Sequence, residues 1–229
     1  MDFKEFERRA NVSFRDQALL RQAFTHRSYL NEHKNSGLEH NERLEFLGDA
    51  VLELVVTEHL FSKYPNYPEG DMTSLRASVV NADALSEVAT EVGMNDFLLL
   101  SRGEAKDKGR ARRYILANTF EAFVGALFLD QGYNASRDFV AAHLFPMLEK
   151  IVADGLWTDS KSSFQEEAQE RAGVTPAYQT LSEEGPDHDK IFTVGVFVGD
   201  EQVALGKGKS KQEAEQVAAR EGLKAKGWD

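Results

Sequence analysis

The chain has 229 residues, 41% of them hydrophobic and none of them cysteine, which suits two small domains with real cores and excludes disulfides, thiolate zinc sites and thiol nucleophiles. Lys and Arg number 27 against 38 Asp and Glu, a net charge of −11, and the carboxyl-terminal third is no more basic than the rest: residues 159–229 hold 9 cations against 14 acids. It is therefore a poor generic polyanion binder, and any nucleic-acid contact has to come from local patches with a marked salt dependence.

The first nine residues are charged and lack an apolar signal core, and no run reaches the ~18 apolar residues of a membrane span, so a cytoplasmic protein without a membrane partner is expected. From Phe3 to about Val152 apolar residues recur three and four apart, which predicts helices throughout. Breaks fall at Asn35-Ser36-Gly37, at residues 64–70 and at Lys106-Asp107-Lys108-Gly109-Arg110.

The helix predicted from His40 to about Val56 carries acids in an apolar setting. At about 100° per residue, Glu42, Glu45, Asp49 and Glu53 fall within roughly 80° of one another and form one stripe. Leu44, Phe46, Leu47, Ala50, Val51, Leu52 and Leu54 surround the stripe, the pattern of a buried helix. Buried like charges raise one another's pKa and cost several kcal/mol each, so a divalent cation or arginines must neutralise them. A second apolar helix, Tyr114 to Asp130, carries Asn118 and Glu121 three apart on one face, able to converge on one ion. Oxygen ligands without Cys or clustered His select Mg²⁺ or Mn²⁺ over zinc. Lys106 to Arg113 is predicted as a basic loop beside these acids, placed for a phosphate contact.

Composition changes near Asp154, giving domains at 1–153 and 160–229 with a linker at 154–159. The second reads helix (Ser162 to Arg171), three strands (177–181, 191–198 and 202–206) and a helix from Ser210 to Lys226, with Ser210 as N-cap and Glu213 completing a capping box.

The run Asn41-Glu42-Arg43-Leu44-Glu45-Phe46-Leu47-Gly48-Asp49 resembles the signature of the ribonuclease III family. Phe24-Thr25-His26-Arg27-Ser28-Tyr29 and Glu69-Gly70-Asp71-Met72-Thr73-Ser74-Leu75-Arg76-Ala77 resemble two further blocks of that family. The α-β-β-β-α order, with Gly185-Pro186-Asp187-His188 and Gly206-Lys207-Gly208-Lys209-Ser210-Lys211 as loops, resembles a double-stranded RNA-binding domain. The implied fold class is an all-α endonuclease domain followed by a small α+β domain.

The resemblance implies a homodimeric, Mg²⁺-dependent endoribonuclease, with Mn²⁺ as a substitute. It would cut double-stranded RNA to 5′-phosphate and 3′-hydroxyl ends with short 3′ overhangs, in ribosomal RNA processing and messenger RNA turnover. Glu45, Asp49, Asn118 and Glu121 are the expected metal residues, with Asp49 and Glu121 catalytic. Glu42 and Glu69 are accessory acids, which salt bridges to Arg43 or Arg76 would explain equally well. Gln165, Gln169 and His188 are expected at 2′-hydroxyls, and Lys207, Lys209, Ser210 and Lys211 at phosphates on a helix N-terminus. Two departures stand out: Gln212, where the family often has lysine, and Asn118, where its better-known members carry Asp. The second keeps a rival alive, a catalytically impaired dimeric duplex-RNA binder. His26 and His40 are read as structural, and Phe46 and Leu47 as core or dimer contacts.

Overall fold

The computed structural model describes residues 2–154, 160–186 and 190–228. The chain divides into two compact units, Met1–Trp157 and Thr158–Asp229. The first is helical: α1 (Phe3–Ala10), α2 (Gln17–Ala23), α3 (Arg27–Glu32), α4 (Glu42–Lys63), α5 (Glu69–Val79), α6 (Ala82–Glu91), α7 (Arg110–Gln131), α8 (Tyr133–His143) and α9 (Phe145–Asp154). Its centre is an aromatic cluster. Phe6 meets Phe24, Phe97 and Phe123 edge-on at centroid distances of 4.7, 5.3 and 5.3 Å. Burying each such ring contributes about 1.5–3 kcal/mol. Asp130, near the end of α7, accepts the backbone N–H groups of Arg15 and Asp16 at 2.9 and 2.8 Å and ties the α1–α2 connection to the core.

Two expectations are corrected here. α4 is not buried on all sides: Leu44, Val51, Leu52, Val55 and Val56 are buried, but Phe46, Leu54 and Phe61 are 81, 57 and 72% exposed. Nor is Lys106 to Arg113 one loop. Glu104–Lys106 forms a short 3₁₀ turn and Arg110–Arg113 are the first turn of α7. Arg112 spends its guanidinium on the carbonyls of Asp107, Glu104 and Ala105, and Arg113 pairs with Asp83 at 2.6 Å.

The second unit runs α10 (Ser160–Ala172), β1 (Ala177–Glu184), β2 (Ile191–Val198), β3 (Glu201–Gly208) and α11 (Lys211–Lys226), its strands forming an antiparallel sheet in the order β1-β2-β3. Phe164, Val196, Ala218 and Ala219 make its core, with Trp228 against Phe164 at 5.4 Å. β1 outruns its expected end because a bulge between Thr180 and Ser182 lets the polar residues 182–184 continue pairing with β2. A Cβ at Gly206 or Gly208 would strike Ala214, so β3 lies directly on α11. Among the described residues no helix is long and apolar enough to cross a membrane.

Candidate active site

The acids come together because α4 and α7 cross at two glycines. A Cβ on Gly48 would collide with the carbonyl of Glu121 and lie 2.8 Å from the Gly125 nitrogen; one on Gly125 would collide with the Leu44 carbonyl. At so close a crossing, side chains on the adjoining turns share one space: Glu45 and Asp49 from α4, Asn118 and Glu121 from α7.

The electrostatics record the meeting. Glu121 is half-buried, and its carboxyl is pushed up to about 7, first by burial and then by the charges of Asp49 and Glu45. Glu45 is also raised, by burial first and then by Glu42; the carboxamide of Asn118 favours its ionised form in opposition, and Asp49 adds to the rise. Asp49 is exposed and faces both. Among the described residues, no cation figures in the influences on these carboxyls.

Oxygen donors only, mutually repelling and partly desolvated, fit a hard divalent cation. The cluster is open: among the described residues no three His, Cys, Asp or Glu side chains close around a point where one ion would sit. An ion there would keep several waters, the usual habit of Mg²⁺.

The accessory acids lie differently. Glu42 is exposed at the start of α4, where Oε1 lies 3.5 Å from Nη1 of Arg27 and Oε2 lies 3.7 Å from Nδ1 of His40. Its expected partner Arg43 is not the one used. Glu69, in the first turn of α5, accepts from the Thr73 hydroxyl at 3.2 Å, and Arg76 donates to Thr57 at 3.0 Å. His26 caps α3 by accepting the Ser28 N–H, and the His40 ring accepts the Glu42 N–H at 3.4 Å, so both are structural at helix starts.

In the second unit Gln165 and Gln169 are exposed one turn apart on α10. Ser210 caps α11 by accepting the Glu213 N–H at 3.1 Å, while the Glu213 carboxylate accepts from the Lys209 N–H at 2.7 Å, one residue earlier than a standard capping box. Lys209 and Lys211 flank that cap; Lys211 is held 2.9 Å from Glu183 and lies over the Phe192 ring. Lys207 sits apart from them. It belongs to β3 between the two glycines that face α11, so its exposed side chain leaves the opposite face of the sheet. His188 lies outside the described residues. Sequence reading passed over Gly48 and Gly125; glycines in the middle of two apolar helices were the signal.

A helical unit with a carboxylate cluster, joined to an α-β-β-β-α unit with a lysine-flanked helix cap, defines the class as a nuclease coupled to a duplex-RNA-binding module. Residues 16–148 match the ribonuclease-III-like family model, and residues 160–225 match the double-stranded RNA binding motif. The chain is 46% identical over 224 residues to ribonuclease 3 of Bacillus velezensis, covering 96% of this chain and 88% of that one. It is 44% identical over 221 residues to ribonuclease 3 of Enterococcus faecalis, covering 96% of each. The solved nuclease domain of ribonuclease III from Campylobacter jejuni superposes with a TM-score of 0.57 at 37% identity, covering 65% of this chain and 97% of that one. The chain belongs to the ribonuclease III family.

Proposed function

We propose that this chain is a double-strand-specific endoribonuclease whose reaction runs at Glu45, Asp49, Asn118 and Glu121 with Mg²⁺, or Mn²⁺ in its place. The observation that carries this is the raised carboxyl of Glu121 against Asp49 and Glu45 at the glycine crossing. Such a group is poised for a cation that relieves the repulsion. An ion held there would supply positive charge for the phosphate and would acidify a water. Glu45, Asp49 and Glu121 hold the charge in place, and Asn118 orients Glu45. The water oxygen ends on the 5′-phosphate and the 3′-oxygen leaves as a hydroxyl.

Gln165 and Gln169 on α10, with Lys209, Ser210 and Lys211 at the start of α11, are assigned to the duplex, read by A-form shape rather than sequence. His188 and Lys207 are kept as weaker members, Lys207 because it leaves the other face of its strand. Glu69 remains an accessory acid. The acting species is a homodimer: exposed Phe46 lines a groove together with Leu19, Leu44, Leu47 and Leu129, edged by polar residues such as Glu39 and Arg43, and the same ring of a second copy suits its apolar part. A cytoplasmic site of action, with ribosomal precursors and messenger RNA as substrates, completes the reading.

Incubating the protein with a long, perfectly paired RNA, with and without Mg²⁺, beside a gel shift in chelator, tests it. Shortened duplexes with 5′-phosphates only in Mg²⁺ are expected. RNA that is shifted but uncut at every Mg²⁺ and Mn²⁺ level would leave the impaired duplex binder.

A further inference from the structure

A chain of net charge −11 needs local cations wherever it meets a polyanion. Two arginines at the start of α7 are committed elsewhere: Arg112 to three carbonyls and Arg113 to Asp83. Arg27 is different. It is 71% exposed, and the hydrogen bond and ion pair it makes are one and the same contact, 3.5 Å long, with a Glu42 carboxylate that is itself 47% exposed. An exposed pair of that length is weak and opens readily.

The frame beneath Arg27 is firm. It is the first residue of α3, whose cap, His26, donates its backbone N–H to the Leu99 carbonyl at 3.1 Å. Ser28 Oγ accepts the Ser101 N–H at 3.1 Å, and Glu32 accepts the Arg102 N–H at 3.2 and 3.3 Å. The guanidinium is therefore carried on a short helix pinned at several points to residues 99–102. Glu42 stands one helical turn before Glu45, about 5–6 Å away between Cβ atoms, which places Arg27 roughly one nucleotide step from the acids.

We propose that Arg27 binds a backbone phosphate neighbouring the one cleaved, and that Glu42 is the carboxylate this phosphate displaces rather than a metal ligand. A phosphate diester offers a guanidinium paired acceptor oxygens at better geometry than the long contact with Glu42. Without RNA, Glu42 occupies Arg27 and repels wrongly placed anions; with RNA, the pair opens. This assignment rests on the proposed cleavage of duplex RNA.

The test is steady-state cleavage of a perfectly paired RNA by the full chain across a salt series, for wild type, Arg27→Ala, Arg27→Lys and Glu42→Gln, with an Mg²⁺ titration of each. Arg27→Ala is expected to raise KM several-fold with kcat nearly unchanged, and to flatten the slope of log kcat/KM against log salt by about 0.9, the loss of one phosphate contact. Arg27→Lys keeps that slope. Glu42→Gln lowers KM and leaves the Mg²⁺ half-saturation where it was. An unchanged slope in Arg27→Ala overturns the phosphate contact, and a higher Mg²⁺ requirement in Glu42→Gln overturns the role given to Glu42. If wild type cuts no duplex, the cleavage reading falls by itself, and the salt slope of binding in chelator, taken on the same variants, decides for or against the Arg27 contact.

Discussion

The carbonyl of Glu121 fills the space that a methyl group on Gly48 would need. One contact thus sets both the packing of the two longest helices and the convergence of their acids. Gly48→Ala should push α4 off α7, destabilising the nuclease unit by about 1–3 kcal/mol or more, as overpacked cores do. That corresponds to a fall of about 2–4 °C in melting midpoint per kcal/mol. Melting curves with and without Mg²⁺ check it: the variant should also lose most of the Mg²⁺-induced rise. A variant as stable as wild type would mean that the helices cross with room to spare.

Glu121 should make the metal-free protein less stable as pH rises. Its folded value, about 7, lies above the ordinary 4.5. Below pH 4.5 the group is protonated folded and unfolded and contributes nothing. Between 4.5 and 7 the unfolded chain gives up its proton first, so stability falls with rising pH, by on the order of 2 kcal/mol in all. Subtracting the curve of Glu121→Gln from that of wild type, both in chelator, cancels every titration not coupled to Glu121. A flat difference would remove the strain assigned to the site, and Mg²⁺ should flatten it by holding the carboxylate ionised.

The acid side of the profile belongs to histidines. The His59 ring stacks on Phe145 at 3.7 Å, its Nε2 is buried without a hydrogen-bond partner among the described residues, and burial and then Lys63 hold its pKa below the usual 6.5 against a smaller opposing pull from Glu149. A depressed base gives full stability above pH 6.5 and loses it as pH falls below, because only the unfolded chain accepts the proton freely. His59→Phe should therefore soften the loss of stability as pH falls below 6.5. Equal slopes in the two proteins would transfer that loss to His26 and His143, whose values are also depressed by burial.

Much of this was legible before any coordinates. The signature run and the apolar stretch from Tyr114 located both acid-bearing helices, and β2 begins and ends at Ile191 and Val198 as its alternation predicts. What escaped did so for physical reasons. Apolar residues on nearly every side of α4 read as burial, yet Phe46, Leu54 and Phe61 are exposed; a face of the kind the proposed dimer would cover has the composition of a core. Arg110 to Arg113 read as a loop, since helix propensity in three arginines and an alanine after a glycine is weaker evidence than the break itself. The partner of Glu42 comes from Arg27, fifteen residues earlier, a proximity no helical spacing encodes.

The exposed apolar stripe gives the association prediction. Phe46→Asp should leave the fold intact, because the ring is 81% exposed and touches little of its own core. The proposed dimer should nevertheless dissociate, since the variant would put a charge into each of two symmetry-related contacts. Sedimentation velocity at micromolar protein should show wild type as a dimer and the variant as a monomer with an unchanged far-ultraviolet spectrum. A variant that still sediments as a dimer would move the interface away from α4.

Asn118 offers the sharpest test of the metal assignment. Its carboxamide favours the ionised form of Glu45 but brings no charge to the cluster. Asn118→Asp would add a fourth carboxylate, so the metal-free protein should be less stable than wild type through like-charge repulsion, while the Mg²⁺ concentration for half-maximal cleavage should fall severalfold. Both signs matter. A lower stability in chelator together with a lower Mg²⁺ requirement places the residue at the ion. An unmoved Mg²⁺ titration would take position 118 out of the metal site and leave it as a neighbour that only steadies Glu45.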